Sequence, residues 1–326
     1  MTSEQVGSTQ HHPEEATPSA TFRGPDDLPL LYRCASHTSL TAQHRFFGAL
    51  RLRLGGLLGA VAGATLIAWT VAGINVGGLI ALVSFAVALA AELYVAIAGP
   101  ERTWYEGRAA AESVKTLAWR YMVRGESFDD IEDREADRIL QREIMGILNG
   151  LDLDLGLGGV EAQGPQVTEA MRAIRRSDYQ TRRQLYLAER IRGQEQWYSR
   201  KQGWNAKRGH QWLIATIVFE FLGLLGGAAW AFTDISFDFI GVFAAFAATI
   251  TAWTQAKQYQ TLATAYGITT QELAMVLSEA ELVTSEADWA AFVGESEEAI
   301  SREHTLWRAS RGLQVRPTRR EGSNPA

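Results

Sequence analysis

Two carboxylates lie inside apolar stretches of the sequence, where a charge is costly. Glu92 falls near the end of one long apolar run, and Glu220 falls within a later one. At a helical rise of about 1.5 Å per residue, Glu92 is about 9 Å from the end of its run and Glu220 roughly 12 Å from the start of its own. If both runs cross a bilayer, both acids sit in its cytoplasmic half. Intramembrane carboxylates typically line a water path or pair with a cation, so they are candidate pore residues.

A structural interpretation of the same two acids carries equal weight. Each lies near a basic stretch at the expected membrane boundary, where pairing or snorkelling would neutralise it without any role in conduction. The candidate cations are Arg51, Arg53, Lys207 and Arg208. Pore lining and interfacial pairing are therefore both kept as hypotheses.

The two acids belong to two pairs of apolar segments. Residues 54–91 carry no charge and contain one turn signal, Gly73-Ile74-Asn75, and a second apolar region around residues 212–253 is broken by Thr233-Asp234-Ile235-Ser236. Each region is too long for one crossing of about 20 residues and fits two helices joined by a tight turn. The sequence predicts an all-α membrane protein with two transmembrane helical hairpins and long amphipathic cytoplasmic helices. The four spans are expected at about 54–73, 77–98, 212–232 and 237–253.

Small residues recur at four-residue steps within these spans. The first span carries Gly55, Gly59 and Gly63, and the third carries Gly223 and Gly227. This spacing lets helix backbones approach closely in lipid, where the hydrophobic effect does not drive helix association. Packing within each hairpin is the simpler expectation and packing between protomers the sharper one, and the two are compatible.

Basic residues indicate the orientation in the membrane. Residues 30–53 contain four arginines and no acid, residues 172–208 contain eleven Lys or Arg, and neither predicted turn contains a basic residue. Cytoplasmic loops are enriched in Lys and Arg, so both turns are expected outside and both termini in the cytoplasm, with the protein in the inner (plasma) membrane. The basic stretch before the third span is expected to contact anionic membrane lipid, and no nucleic acid partner is predicted.

The polar segments suggest a division of the chain. Residues 1–27 and the basic residues 312–326 are expected to be disordered tails. The glycine-rich residues 151–165 are expected to link a first two-span unit, residues 28–150, to a second, residues 166–311. The lone cysteine, Cys34, allows no internal disulfide, which fits a reducing cytosol.

Motifs of common enzyme and cofactor sites do not occur in the sequence. It has no glycine-rich phosphate loop followed by Lys-Ser or Lys-Thr, no Gly-x-Ser-x-Gly, no His-Glu-x-x-His and no Cys-x-x-Cys. His37 and His44 are seven residues apart and Asp152 and Asp154 two apart, but neither pair has the further ligands that a metal site needs. We therefore expect no catalytic activity, no metal and no cofactor.

Aromatic and charged patterns recur in both halves of the chain. A Gln-x-x-aromatic-aromatic pattern precedes each hairpin, and a long cytoplasmic helix with aromatic residues follows it. The pattern residues are Gln43, Phe46, Phe47, Trp104, Tyr105, Arg108 and Glu112 in the first half, and Tyr186, Glu189, Arg190, Gln194, Trp197, Tyr198 and Trp307 in the second. On these residues the chain resembles the SLATT families, the SMODS- and SLOG-associated two-transmembrane effector domains. The resemblance covers about residues 28–311, as two tandem units of different subtype.

The resemblance implies a membrane effector of a prokaryotic conflict (anti-phage) system. Such proteins are proposed to perforate or depolarise the membrane after a nucleotide-generating or nucleotide-sensing partner fires. Four helices enclose no wide water path, so the chain would act as a homo-oligomer. A separate second-messenger synthase or sensor, or a ligand of the cytoplasmic helices, would trigger it. The alternative is a membrane-anchored scaffold whose cytoplasmic helices dock a partner and whose spans only tether it.

Overall fold

The computed structural model describes residues 22–66, 69–151, 164–233 and 237–310, with residues 302–310 described by their backbone alone. Helices dominate the described chain. They are α1 (Leu30–Thr65), α2 (Val76–Ala98), α3 (Pro100–Met122), α4 (Asp133–Asn149), α5 (Glu169–Arg176), α6 (Tyr179–Leu185), a π-helix (Tyr186–Arg192), α7 (Gly193–Phe232), α8 (Phe239–Lys257), α9 (Tyr259–Ala280) and α10 (Glu286–Ser310).

Four of these helical stretches are long and apolar enough to cross a membrane. They are α1, α2, the continuous helix from Tyr179 to Phe232, and the region from Phe239 to Ala280. Few residues of their apolar windows are buried inside the chain, so most of the apolar surface points outward. The predicted fold, an all-helical membrane protein with two hairpins, is confirmed. In each hairpin the first span is continuous with the helical segment that precedes it in the chain, and this makes α1 and α7 long.

The first hairpin closes through a short β-ribbon. β1 (Thr70–Val71) pairs antiparallel with β2 (Ile74–Asn75). The two residues between the strands, Ala72 and Gly73, both have positive φ, as a type I′ turn requires. This turn matches the twist of paired strands, and it takes up residues that the sequence analysis assigned to the first span. α1 consequently ends at Thr65 and not at residue 73.

Glycines of α1 allow close contact between the two helices of the first hairpin. A methyl group on Gly63 would lie 2.5 Å from the Ala81 backbone nitrogen, and one on Gly59 would lie 2.7 Å from Ser84 Oγ. The neighbouring Gly56, which the sequence analysis did not select, would place a methyl group 2.6 Å from the Ser84 carbonyl oxygen. By contrast, nothing lies within 4 Å of a methyl group on Gly55. Packing within the hairpin therefore accounts for Gly59 and Gly63 but not for Gly55.

These contacts predict opposite outcomes for two glycine substitutions in the same helix. Gly63→Ala should destabilise the hairpin by about 1–3 kcal/mol, because the backbone of α2 must move to admit the methyl group. Gly55→Ala should be neutral or slightly stabilising, because alanine is the better helix former and meets no neighbour. Thermal unfolding of the two detergent-solubilised variants measures the difference. Equal losses of stability would contradict the assigned helix contact.

The second hairpin relies more on aromatic packing. Phe219 on α7 stacks on Phe246 of α8 with ring centroids 4.8 Å apart. A methyl group on Gly227 would lie 3.3 Å from the Ile240 side chain, and one on Gly223 would lie 3.6 Å from Phe243 Cβ. Both predicted glycines thus face α8, although they are less tightly packed than Gly63 in the first hairpin.

The two hairpins contact each other within one chain near the ends opposite their turns. Phe47 of α1 lies 5.9 Å from Trp253 of α8, measured between ring centroids. Lys257 at the end of α8 places its ammonium nitrogen 3.2 Å from the centroid of the Phe47 ring, a cation–π contact. Packing between α1 and α8 therefore joins the two hairpins at this level of the chain.

Each hairpin is joined to the helix that follows it by one residue in the left-handed conformation. Gly99 links α2 to α3 with φ 54° and ψ 41°, and Gln258 links α8 to α9 with φ 51° and ψ 40°. In each case the next helix packs back against the first helix of its own hairpin, α3 on α1 and α9 on α7. The repeat predicted from sequence is thus also a repeat of backbone geometry. The second copy uses a non-glycine residue in a conformation that glycine adopts more easily.

The helical segments outside the membrane spans, from both halves of the chain, share a single hydrophobic core. Its members come from α1, α3, α4, α5, the π-helix, α7, α9 and α10. Among the most buried are Leu31, Val114, Trp119, Met122, Leu140, Met171, Ile174, Tyr186, Tyr198, Leu273, Trp289 and Val293. Phe22 also packs on Trp119, with ring centroids 5.0 Å apart, so residues 22–27 do not belong to a disordered tail as predicted. The tail predictions for residues 1–21 and 312–326 lie outside the described residues.

α5 packs with the first half of the chain. The fully buried Arg175 donates to the carbonyl oxygens of Tyr121, Phe128 and Ile131 and forms an ion pair with Asp133 of α4 at 3.1 Å. These bonds hold the connection between α3 and α4 in place. Most of the predicted linker, residues 152–163 with Asp152 and Asp154, lies outside the described residues.

Candidate functional site

The two membrane carboxylates, Glu92 and Glu220, have different surroundings in the structure. Glu92 on α2 forms an ion pair with Arg53 on α1, with 2.8 Å between Oε2 and Nη1. In the structure, Glu92 therefore pairs with a neighbouring cation, which is one of the two hypotheses drawn from the sequence. Glu220 on α7 is exposed at the chain surface, and no ion pair to it is found among the described residues.

Glu220 lies among outward-facing apolar side chains. Ile217, Val218, Phe221 and Leu224 are 54 %, 48 %, 57 % and 69 % exposed, respectively. In a bilayer these neighbours face lipid or another protein, and a carboxylate among them needs water, a proton or a partner. Glu220 is thus the membrane carboxylate for which the described part of the chain supplies no counterion.

A second group of charges is fully buried in the helical body outside the membrane spans. Arg190 of the π-helix and Glu297 of α10 form a two-pronged ion pair, with Nε to Oε1 at 2.8 Å and Nη2 to Oε2 at 2.6 Å. Tyr186 donates its hydroxyl to Oε1 at 3.1 Å, and Thr116 of α3 donates to Oε2 at 2.8 Å. We call Thr116, Tyr186, Arg190 and Glu297 the central polar cluster. It joins three elements that are far apart in sequence.

Burial and the Glu297 carboxylate shift the pKa values of Arg190 and Tyr186 in the central polar cluster. Burial alone would lower the pKa of the Arg190 guanidinium, but the adjacent Glu297 carboxylate outweighs burial and raises that pKa. Burial, together with the same carboxylate, raises the pKa of the Tyr186 phenol well above its ordinary value. Glu297 accepts four hydrogen bonds, whereas Nη1 of Arg190 has no hydrogen-bond partner among the described residues.

Further charges border the central polar cluster on α3. Burial and the nearby Arg190 guanidinium lower the pKa of Lys115, and Glu112 and Glu297 partly offset them. Burial and Glu112 raise the pKa of Tyr32 on α1, while Arg190 and Arg108 act in the opposite direction. Arg108 and Glu112 therefore lie in the electrostatic surroundings of the cluster.

Two local features position the cluster. The π-helix widens one turn of an otherwise continuous helix, and such turns occur frequently at functional sites. Tyr186 and Arg190 both lie buried in this turn. α10 is fixed on α3 above the cluster, because Trp289 donates its indole N–H to the Val123 carbonyl oxygen at 3.1 Å.

The aromatic motif residues clamp the first and third helices of each half. Trp104 packs on Phe47 with ring centroids 5.5 Å apart and stacks on Tyr105 at 4.7 Å. In the second half Trp197 and Tyr198 contact Tyr266 of α9 at 5.6 and 5.4 Å. Gln43 and Gln194 are partly buried on α1 and α7. The side chain of Trp307 lies outside the described residues.

The sequence analysis did not select Thr116 or Glu297, and it used Arg190 only as a motif residue. A signal for Glu297 exists in the helical spacing: Trp289, Val293 and Glu297 follow at four-residue steps, so an acid occupies the apolar face of α10. Acids on such a face are buried only with a partner. Among the described residues no group of three or more His, Cys, Asp or Glu side chains is placed to hold a metal ion.

Two family models match consecutive parts of the chain. Residues 29–183 match the SMODS and SLOG-associating 2TM effector domain 3, and residues 186–307 match the SMODS and SLOG-associating 2TM effector domain 1. No curated protein and no solved structure matches the chain. The two matches meet at α6, later than the predicted linker at residues 151–165, in agreement with the packing of α5 on the first half.

The central polar cluster now has a clear location. Thr116 comes from the first matched region, and Arg190 and Glu297 come from the second, so the hydrogen bond from Thr116 to Glu297 crosses the boundary between the two regions. The chain carries two tandem domains, of subtypes 3 and 1, and belongs to the family of SMODS and SLOG-associating 2TM effector domains, also called SLATT.

Proposed function

We propose that this protein is a non-enzymatic membrane effector of a prokaryotic conflict (anti-phage) system. It oligomerises in the inner membrane and permeabilises or depolarises it when a nucleotide-signalling synthase or sensor triggers it. The family match supports the general role of a membrane effector associated with SMODS and SLOG proteins. The pore, the trigger and the orientation with both termini in the cytoplasm are parts of the proposal.

One observation carries the proposed mechanism. Arg190 and Glu220 lie on one continuous helical stretch, which runs from Tyr179 to Phe232. They are separated by about 45 Å along that stretch at a rise of 1.5 Å per residue. A displacement of the π-helix in the cytoplasmic body would therefore rotate or shift the membrane carboxylate directly.

The proposed movement would take the central polar cluster between two arrangements, one with α10 docked on α3 and one with α10 released. While α10 is docked on α3, the charges of Arg190 and Glu297 are buried and neutralise each other. If α10 lifts away, water can solvate both charges, and this recovers much of the desolvation penalty of the buried pair. A trigger that binds the open arrangement better would shift the population toward it.

The cytoplasmic segment of α7 suits a membrane surface. Trp204 is 49 % exposed, and the cationic groups of Lys201 and Arg208 lie 5.7 and 5.6 Å from the centroid of its ring. An aromatic ring flanked by cations fits the headgroup region of an anionic leaflet. This supports membrane lipid as the partner of the segment and a cytoplasmic location for it.

The membrane potential of cells tests the proposed function. Cells expressing the chain alone, and with its nucleotide-signalling neighbours active, are compared with a voltage-sensitive dye. We expect depolarisation only with the active partner, and loss of most of this signal in Glu220→Gln. The Glu143→Gln variant, altered at an exposed acid of the cytoplasmic helix α4, serves as the control.

The scaffold alternative makes a different prediction in the same assay. A protein that only tethers a partner leaves the potential unchanged under every pairing, and liposomes containing it stay impermeable to small ions. That result would contradict the proposed effector function.

A further inference from the structure

A cytoplasmic helix of the second domain leaves an apolar stripe uncovered. Ile268 and Met275 on α9 are 57 % and 59 % exposed, and Leu282, in the turn after α9, is 81 % exposed. Residues seven apart in a helix share a face to within about 20°. An exposed apolar stripe of this kind marks an interaction surface.

Charge excludes the anionic leaflet as the cover for this stripe. Glu272 and Glu279 flank the stripe on one side, and α9 contains no Lys or Arg. No ion pair to either acid is found among the described residues. The anionic surface of the inner leaflet would repel this face, whereas a helix with cations beside an apolar residue would match it.

α4 of the first domain presents such a face. Met145 is 53 % exposed, and Arg134, Arg138 and Arg142 lie within about 60° of it around the helix. Arg138 is paired with Glu135 at 3.0 Å, but neither Arg134 nor Arg142 has an ion-pair partner among the described residues. Next to Met145, a methyl group on Gly146 would meet nothing within 4 Å, so another helix could approach closely there.

The exposed faces of α4 and α9 also agree in the spacing of their charged residues and in their distance from the ends of the membrane helices. The free arginines are about 12 Å apart along α4, and the two acids roughly 10 Å apart along α9. Tyr121, near the far end of α3, donates to Asp137 of α4, and Glu279 is near the far end of α9. Both α3 and α9 start directly after a membrane helix, so Asp137 and Glu279 each lie about 30 Å along the cytoplasmic helix from that start.

We propose that α9 of one protomer docks on α4 of a second copy of this chain. The proposal rests on the proposed function and specifies how its oligomer forms. α4 and α9 belong to different domains, so the contact is head-to-tail, and a head-to-tail contact repeats into a ring when its rotation closes. The stripe residues and Met145 form the apolar centre, and Glu272 and Glu279 face Arg134 and Arg142. Tandem domains of two subtypes thus supply the two unlike sides of one interface.

Cysteine cross-linking in membranes tests the pairing. Met145→Cys and Met275→Cys are introduced singly and together into the full-length chain carrying Cys34→Ala, and oxidised in cells with and without the active partner. We expect a ladder of covalent oligomers only for the double variant. A dimer from Met275→Cys alone would overturn the proposal, because it requires two α9 helices to face each other. The absence of cross-linked species in both states would also overturn it.

Charge exchange provides a second, independent measurement. Reversing Glu272 and Glu279 to Arg should abolish the oligomer seen by native mass spectrometry, and reversing Arg134 and Arg142 to Glu in the same chain should restore it. Glu143→Arg, on the opposite side of α4, should leave it unchanged. No rescue by the combined exchange contradicts the interface. If the oligomer is insensitive to these changes while the membrane still depolarises, the inference fails and the proposed function stands.

Discussion

Replacing Glu297 by Gln should produce the largest loss of stability of any single substitution in the helical body outside the membrane spans. The variant leaves the fully buried Arg190 guanidinium without its counterion. Removing one partner of a buried ion pair typically costs about 3–5 kcal/mol. Chemical denaturation of the purified protein in detergent, followed by tryptophan fluorescence, measures the change, because Trp119 and Trp289 lie in the same core. Glu298→Gln, at the exposed neighbouring acid, should change stability by less than about 0.5 kcal/mol.

A double variant separates stability from switching. Arg190→Met combined with Glu297→Leu replaces the pair by apolar side chains of similar size, and such replacements are often neutral or stabilising. We expect this variant to fold at least as well as the natural protein and to respond to the trigger much less. Without the two charges, docking of α10 costs no desolvation free energy, and release of α10 recovers no hydration free energy. A double variant that folds and still depolarises membranes with the partner would contradict the role of the central polar cluster in gating.

The gross architecture follows from local sequence signals. Hydrophobic length sets the hairpins, and Gly99 after α2 is a residue that readily adopts positive φ, whereas Gln258 after α8 gives no such signal. These signals depend on neighbouring residues, so they are visible without a structure. The β-ribbon at residues 70–75 depends on pairing between Thr70 and Asn75. The β-branched residues Thr70, Val71 and Ile74 around Gly73 are a weak sign of it within an apolar run.

The details of the candidate sites depend on helix rotation and on long-range packing. Four-residue steps select Gly55, Gly59 and Gly63 as one row, yet the helix presents Gly56 to α2 and turns Gly55 away. Arg53 was one of four cations within reach of Glu92, and only the crossing of α1 and α2 decides between them. Glu297 meets Thr116 across 181 residues of chain, a distance that no local periodicity encodes.

The shared hydrophobic core changes how the tandem arrangement is understood. The two domains do not form separate units joined by a linker. α10 of the second domain packs on α3 of the first, and the helices of both domains bury one continuous set of side chains. Movement of one domain therefore changes the packing of the other. This supports gating through the boundary between domains, where the central polar cluster lies.

Glu220→Leu should stabilise the protein while abolishing its activity, the second large effect that we expect. A charge in the apolar part of a membrane helix costs up to about 3 kcal/mol, and no partner within the described chain offsets this cost for Glu220. Unfolding measured in bicelles should therefore require more free energy in the variant, whereas partner-triggered ion flux in liposomes should fall by roughly tenfold or more, because the polar group in the conduction path is lost. Glu92→Leu is the matched control with the opposite sign, because it strands the Arg53 charge and should destabilise the first hairpin. Arg53→Leu added to Glu92→Leu should restore stability. If Glu220→Leu conducts as well as the natural protein, Glu220 does not line the path, and the exposed carboxylate must serve contacts between protomers instead.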